Sequence, residues 1–140
     1  MFERLAEAER FDFGRFGVAL EMYAYAAAYS PDPDHPAGPP QLPFDPGTGR
    51  LVEPVWARWL ACDPVRMVGR HAEALAGLRR IYLDAGRSDE AFLDLGAQAM
   101  SAELTAHGIE HTLELFDGRH GGIAYRYPRA IRELLLVLAA

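Results

Sequence analysis

Two residues of this 140-residue chain stand where acid–base chemistry could be built. Asp89 lies in the loop Gly86-Arg87-Ser88-Asp89, and His120 lies in the loop Asp117-Gly118-Arg119-His120-Gly121-Gly122. Each loop follows a short β-prone run, and open α/β sheets gather catalytic groups at the carboxyl ends of their strands. If the two strands are adjacent and parallel, both side chains emerge at one sheet edge. A carboxylate beside an imidazole fixes its tautomer and stabilises the imidazolium, which is the base half of a nucleophilic triad. The glycines around His120 permit backbone angles that would expose the ring. Plainer roles fit the same residue types. Asp89 is a good N-cap for a following helix, and an isolated histidine after a strand is commonly a solvated one.

The elements that must position this pair are best marked over residues 79–140. Arg80 to Asp84 is a β-prone run ending at Ala85-Gly86. Asp89 to His107 reads as a helix, with Phe92, Leu95, Ala99, Met100 and Leu104 on one stripe and Gly108 as its stop. His111 to Phe116 is a second strand, closed by Asp117-Gly118. Pro128 opens a final helix running toward Leu138. The order strand, helix, strand, helix predicts two parallel strands joined by a right-handed crossover. Upstream, residues 1–30 form a helical segment: 3–9 favour helix by propensity, Gly14 interrupts 11–16, and Val18 to Tyr29 predicts a mostly buried helix. Seven of the ten prolines fall between Pro31 and Pro46, so residues 31–50 are an extended loop. Residues 51–78 return to helix, starting near Glu53 with Pro54 in the first turn, then 64–69 behind the pair Asp63-Pro64, then 71–77. The fold class predicted is α/β, as a single domain.

Other reactive side chains carry weaker patterns. Ser88, between a strand and a helix, could itself be a nucleophile, with Glu110, Glu114 or Asp117 as the acid; a second capping role fits it better, because Glu90 stands where a nucleophile turn wants a small residue. Ser30, before Pro31, reads as a turn residue, and Ser101 as an exposed mid-helix residue. His107 and His111 are four apart, the spacing of two metal ligands on one helix, but Gly108 falls between them, and no HExxH or cysteine cluster exists. No metal and no organic cofactor is predicted. His35 and His71 read as solvated, Cys62 as a small apolar filler, Arg126 as a surface residue, and Tyr23, Tyr25, Tyr29, Trp56 and Trp59 as core aromatics.

Composition limits the partners. The formal charge is −6, which argues against nucleic acid and anionic membrane surfaces. The basic residues are all arginine; the chain has no lysine. Cys62 is the only cysteine, so no intramolecular disulfide can form. No apolar stretch reaches the roughly 18 residues of a membrane span. The first residues lack the basic-then-apolar plan of a secretory signal, which predicts a cytoplasmic location.

The residues also carry a likeness. Residues 79–128 and their flanks contain Gly86-x-x-Asp89-Glu90, Gly96-Ala97, Gly108-Ile109-x-His111 and Phe116-x-Gly118-x-His120. With AYSPDPD at 28–34, LPFD at 42–45 and VWARWLACDPVRM at 55–67, they resemble the C-terminal part of esterases of the α/β-hydrolase superfamily. The S-formylglutathione hydrolase and enterochelin-esterase types are the similar ones. The resemblance covers most of the chain and implies a partial α/β-hydrolase fold in which Asp89 matches the triad acid and His120 the triad base. It implies a small ester or thioester as substrate. The departure is large: the family's Gly-x-Ser-x-Gly nucleophile elbow is absent from these 140 residues, and its oxyanion donors with it. The chain therefore looks like the back half of such an enzyme, inactive by itself. The other class of function is a non-catalytic module. Two strands make a poor independent sheet, and open edges invite pairing. Either way, the expected partner is a second copy or a missing N-terminal half.

Overall fold

The computed structural model describes residues 7, 9, 10, 12–36 and 38–138. Most of the helix expected over 3–9 lies outside them. The chain forms two compact units, Met1–Asp63 and Pro64–Ala140.

In the first unit, helix α1 spans Phe13–Tyr29. It begins five residues before the predicted start at Val18, because Asp12 caps it: the Asp12 carboxylate accepts the Arg15 N–H at 3.3 Å. Gly14 sits inside the first turn rather than interrupting the helix. Phe16, Ala19 and Ala26 are buried, whereas Val18 and Leu20 are exposed. The expectation of a mostly buried helix is thus corrected to one narrow buried stripe. Ser30 ends α1 fully buried. Its hydroxyl donates to the Gln41 carbonyl at 2.6 Å and accepts from Trp59 Nε1 at 2.8 Å. This ties the proline segment to helix α2, Glu53–Ala61. The described part of 31–50 has no helix or strand, only an isolated bridge between Phe44 and Leu51. Trp59 meets Tyr29 edge-on with ring centres 5.7 Å apart, and Tyr25 edge-on at 6.3 Å. Cys62 is exposed just past α2, not the buried filler predicted.

The second unit holds α3 (Pro64–Met67), a 3-10 turn (Gly69–His71), α4 (Ala72–Ala76), β1 (Tyr82–Gly86), α5 (Leu93–Ala106), β2 (Thr112–Phe116), a second 3-10 turn (Ile123–Arg126) and α6 (Tyr127–Leu138). The strands pair in parallel, from Tyr82 opposite Thr112 to Gly86 opposite Phe116. The unit is a mixed α/β arrangement with the predicted order. Strand β1 runs two residues later than the predicted 80–84, because pairing with β2 selects the register. Its core is Val68, Leu104 and Ile109, with Leu75, Ile81, Leu83 and Met100 packed against them. Of the five residues of the predicted stripe only Met100 and Leu104 face inward, and Ala99 is exposed. Phe92 and Leu95 are 69% and 58% exposed, and the inward face runs through Ala97, Met100, Ser101 and Leu104. Gly108 stops α5 as expected, at φ +67° where a side chain would be strained.

The opposite sheet face is charged. Tyr82, Asp84 and Glu114 meet Arg126, whose guanidinium lies 3.1 Å from Asp84 and 2.9 Å from Glu114 and stacks over the Phe116 ring. Arg126 is therefore not the surface residue predicted. Burial by itself would lower its pKa, but hydrogen bonds to Glu114 and Asp84 push it upward. The Tyr82 hydroxyl donates to Glu114 at 2.7 Å and, with Arg126 and Arg129, holds that carboxyl below its ordinary value. A carboxyl depressed on folding contributes stability above its unfolded pKa, and the contribution is lost as pH falls through the folded one. Unfolding free energy of this unit should therefore decline as pH drops below about 5, and Glu114→Gln should flatten that decline in urea titrations. An unchanged pH slope in the variant would remove Glu114 from the account. No helix among the described residues is long and apolar enough to cross a membrane.

Candidate functional site

Strands β1 and β2 deliver two loops to one end of the sheet. The Arg87 N–H donates to the Phe116 carbonyl and the Ser88 N–H to the Gly118 carbonyl, both at 2.9 Å, so the loops are stitched backbone to backbone. They approach so closely at Gly86 that a Cβ there would sit 2.5 Å from Gly118 O and 2.9 Å from Arg119 O. Those neighbours are main chain, so the His120 loop itself would have to move. Gly86→Ala should cost roughly 1–3 kcal/mol in denaturant unfolding and disperse the His120 ring resonances. Gly96→Ala, with nothing within 4 Å of the added carbon, should instead be neutral or stabilising. Equal behaviour of the two variants would refute the close-approach argument.

Here Asp89 and His120 meet. His120 Nδ1 lies 3.3 Å from Asp89 Oδ2. A carboxylate only accepts, so the Nδ1–H donates and Nε2 is left as the basic nitrogen. The other Asp89 oxygen accepts the Ala91 N–H at 2.8 Å. The Asp89 side chain is 5% exposed and the imidazole 55%. This is the arrangement in which a buried carboxylate orients an accessible base. Asp89 does not cap the following helix. The Phe92 N–H returns to the Asp89 carbonyl at 3.1 Å, which keeps residues 89–92 in a turn. Helix α5 then starts at Leu93, after Phe92 in a left-handed conformation at φ +58°.

In the sequence Glu90 stands out only within the Gly86-x-x-Asp89-Glu90 motif and as a bulky residue after Asp89, with no role at the pair. Its Oε2 accepts the backbone N–H of His120 at 3.2 Å and Arg119 Nε at 3.4 Å. The N–H of Glu90 itself and that of His120 hold its carboxyl below the usual range. It thereby tethers the His120 loop to the Asp89 turn. Its place next to Asp89 was the one signal available. The pair opens onto a cavity of about 530 Å³ lined by Asp84, Leu93, Phe116, Ile123 and Tyr127 among others, within the size range of small-ligand sites.

The remaining candidates are scattered. Ser88 is exposed, and among the described residues of this unit neither Ser88 nor Ser101 hydrogen-bonds to His120. Glu114 is engaged with Tyr82, Arg126 and Arg129 on the sheet face. His107 sits 3.3 Å from Glu103, while His111 turns to Ser101, so the two histidines share no ligand position. Ser101 is half-buried and bonded, not the exposed residue expected. Among the described residues no group of three or more His, Cys, Asp or Glu is placed to hold a metal ion. No family model matches the chain, and no curated protein matches it.

Proposed function

We propose that the second unit supplies the acid and base of a serine ester or thioester hydrolase of α/β-hydrolase type. In this role Asp89 orients His120, and His120 Nε2 takes the proton of a serine hydroxyl contributed from outside these 140 residues. The observation that carries the reading is the 3.3 Å contact between His120 Nδ1 and the enclosed Asp89 carboxylate at the carboxyl end of two adjacent parallel strands. The adjoining cavity, walled by Leu93, Phe116 and Tyr127, would receive the acyl or alcohol part of a small substrate. The chemistry needs no metal: the base, the serine and hydrogen-bond donors for the oxyanion suffice.

Turnover of p-nitrophenyl acetate by the chain alone tests this directly. Little catalysis is expected, unchanged in Ser88→Ala. Brisk hydrolysis that disappears with Ser88→Ala would overturn both the external nucleophile and the assignment of Ser88. If the DNA upstream of the Met1 codon continues in frame, it should encode Gly-x-Ser-x-Gly, and the longer product should hydrolyse the ester.

A second reading, a partner-binding module, draws on one observation. Ile131, Leu134, Leu135, Leu136 and Leu138 of α6 are all exposed, in a unit whose sheet has two strands among the described residues. Sedimentation showing a stable monomer at high concentration would count against it.

A further inference from the structure

Helix α5 carries one serine, Ser101, unrelated to the Asp89–His120 pair. A hydroxyl within a helix commonly donates back to the carbonyl four residues earlier. Thr105 does so, donating to the Ser101 carbonyl at 2.9 Å. Ser101 does not. Its Oγ lies 2.7 Å from Nε2 of His111, the residue just before β2. His111 Nδ1 lies 2.9 Å from the Ile109 carbonyl. A carbonyl can only accept, so Nδ1 carries the proton, and the neutral ring presents a bare Nε2 that accepts the Ser101 proton. The tautomer and ring orientation are thus set by the main chain, in the position where a triad has its carboxylate. His111, though not Ser101, lines a small polar cavity of about 110 Å³ together with Arg79, Arg80 and Glu110.

We propose that Ser101 and His111 form a second nucleophilic centre, able to accept an acyl group from a small activated ester. It lies toward the amino end of β2, whereas Asp89 and His120 gather at the carboxyl ends. In the step, Ser101 Oγ bonds to the ester carbonyl carbon while its proton passes to His111 Nε2. The tetrahedral oxyanion then collapses, the carbon–oxygen bond to the leaving alcohol breaks, and the alcohol departs with the proton from Nε2. The acyl group remains on Oγ, with no change of oxidation state.

The test uses an alkyl fluorophosphonate on the intact chain, with peptide mass spectrometry to find the label. The serine oxygen–phosphorus bond forms, the phosphorus–fluorine bond breaks, fluoride leaves and the hydroxyl proton goes to the imidazole. Labelling is expected at Ser101 in preference to Ser30 and Ser88, and absent in Ser101→Ala. His111→Gln should slow it about 100-fold, the low end of a general base's contribution. His120→Ala should leave it unchanged, so this result is separable from the fate of the Asp89–His120 proposal. Three results would each overturn the inference: no label at Ser101 in the wild-type chain, label on another serine instead, or label at Ser101 at the same rate in folded His111→Gln. The first two require no variant.

Discussion

Asp89→Asn is expected to lower ester turnover about 10⁴-fold once a nucleophilic serine is supplied, with the structure around it intact. The reason lies in one hydrogen bond. Asp89 Oδ2 can only accept, and so it holds the proton on His120 Nδ1 at 3.3 Å. An asparagine amide can present its N–H instead, which places the imidazole proton on Nε2 and leaves no lone pair for the serine. In the proposed reaction the carboxylate would also stabilise the imidazolium formed in the transition state, and its burial would keep water from screening that attraction. The change can be followed on this chain without turnover. Nitrogen-15 spectra should show His120 protonated at Nδ1 in the wild type and at Nε2 in Asp89→Asn. A ring with the same tautomer in both proteins would end the acid–base assignment.

Leu104→Ala should produce the largest loss of stability in the second unit. Leu104 is fully enclosed and packs with Val68 and Ile109 at the centre of the core. Removing its methyl groups forfeits their transfer from water and leaves a cavity that helix and sheet cannot wholly close. The expected cost is about 3 kcal/mol. At 4–8 °C per kcal/mol for a unit of this size, the melting midpoint should fall by roughly 12–24 °C. Leu95→Ala is the control, being 58% exposed on the same helix, and should change stability by less than about 0.5 kcal/mol. Circular dichroism melts compare the two. Similar losses would place the inward face of α5 on the stripe read from sequence rather than on the observed one.

The order of elements in the second unit was legible because each carries its own local signal. Gly108 stops α5, Asp117-Gly118 ends β2, and proline density rules out regular structure over 31–46. Asp89 and His120 were found by the same logic, as polar residues just past two β-prone runs. Local signals failed where a distant group competes. Asp89 has the composition of an N-cap, yet one oxygen braces its own turn at Ala91 and the other meets His120, so the helix starts at Leu93. Arg126 lies between two tyrosines and reads as exposed, until Asp84 and Glu114 from the strands enclose it. Ser101 and His111 are ten residues apart with a helix end and Gly108 between them, a separation no periodicity rule connects.

By itself, then, the amino-acid order determined which segments are helix, strand and loop in the second unit, and which two polar residues leave the strand ends. These follow from propensity, glycine and proline, which act within a few residues. The parallel register, the inward face of α5 and the pairing of Asp89 with His120 and of Ser101 with His111 were decided only by tertiary structure. Each depends on groups ten or more residues apart meeting within hydrogen-bonding or van der Waals range, and such contacts form only when the whole unit closes around its core.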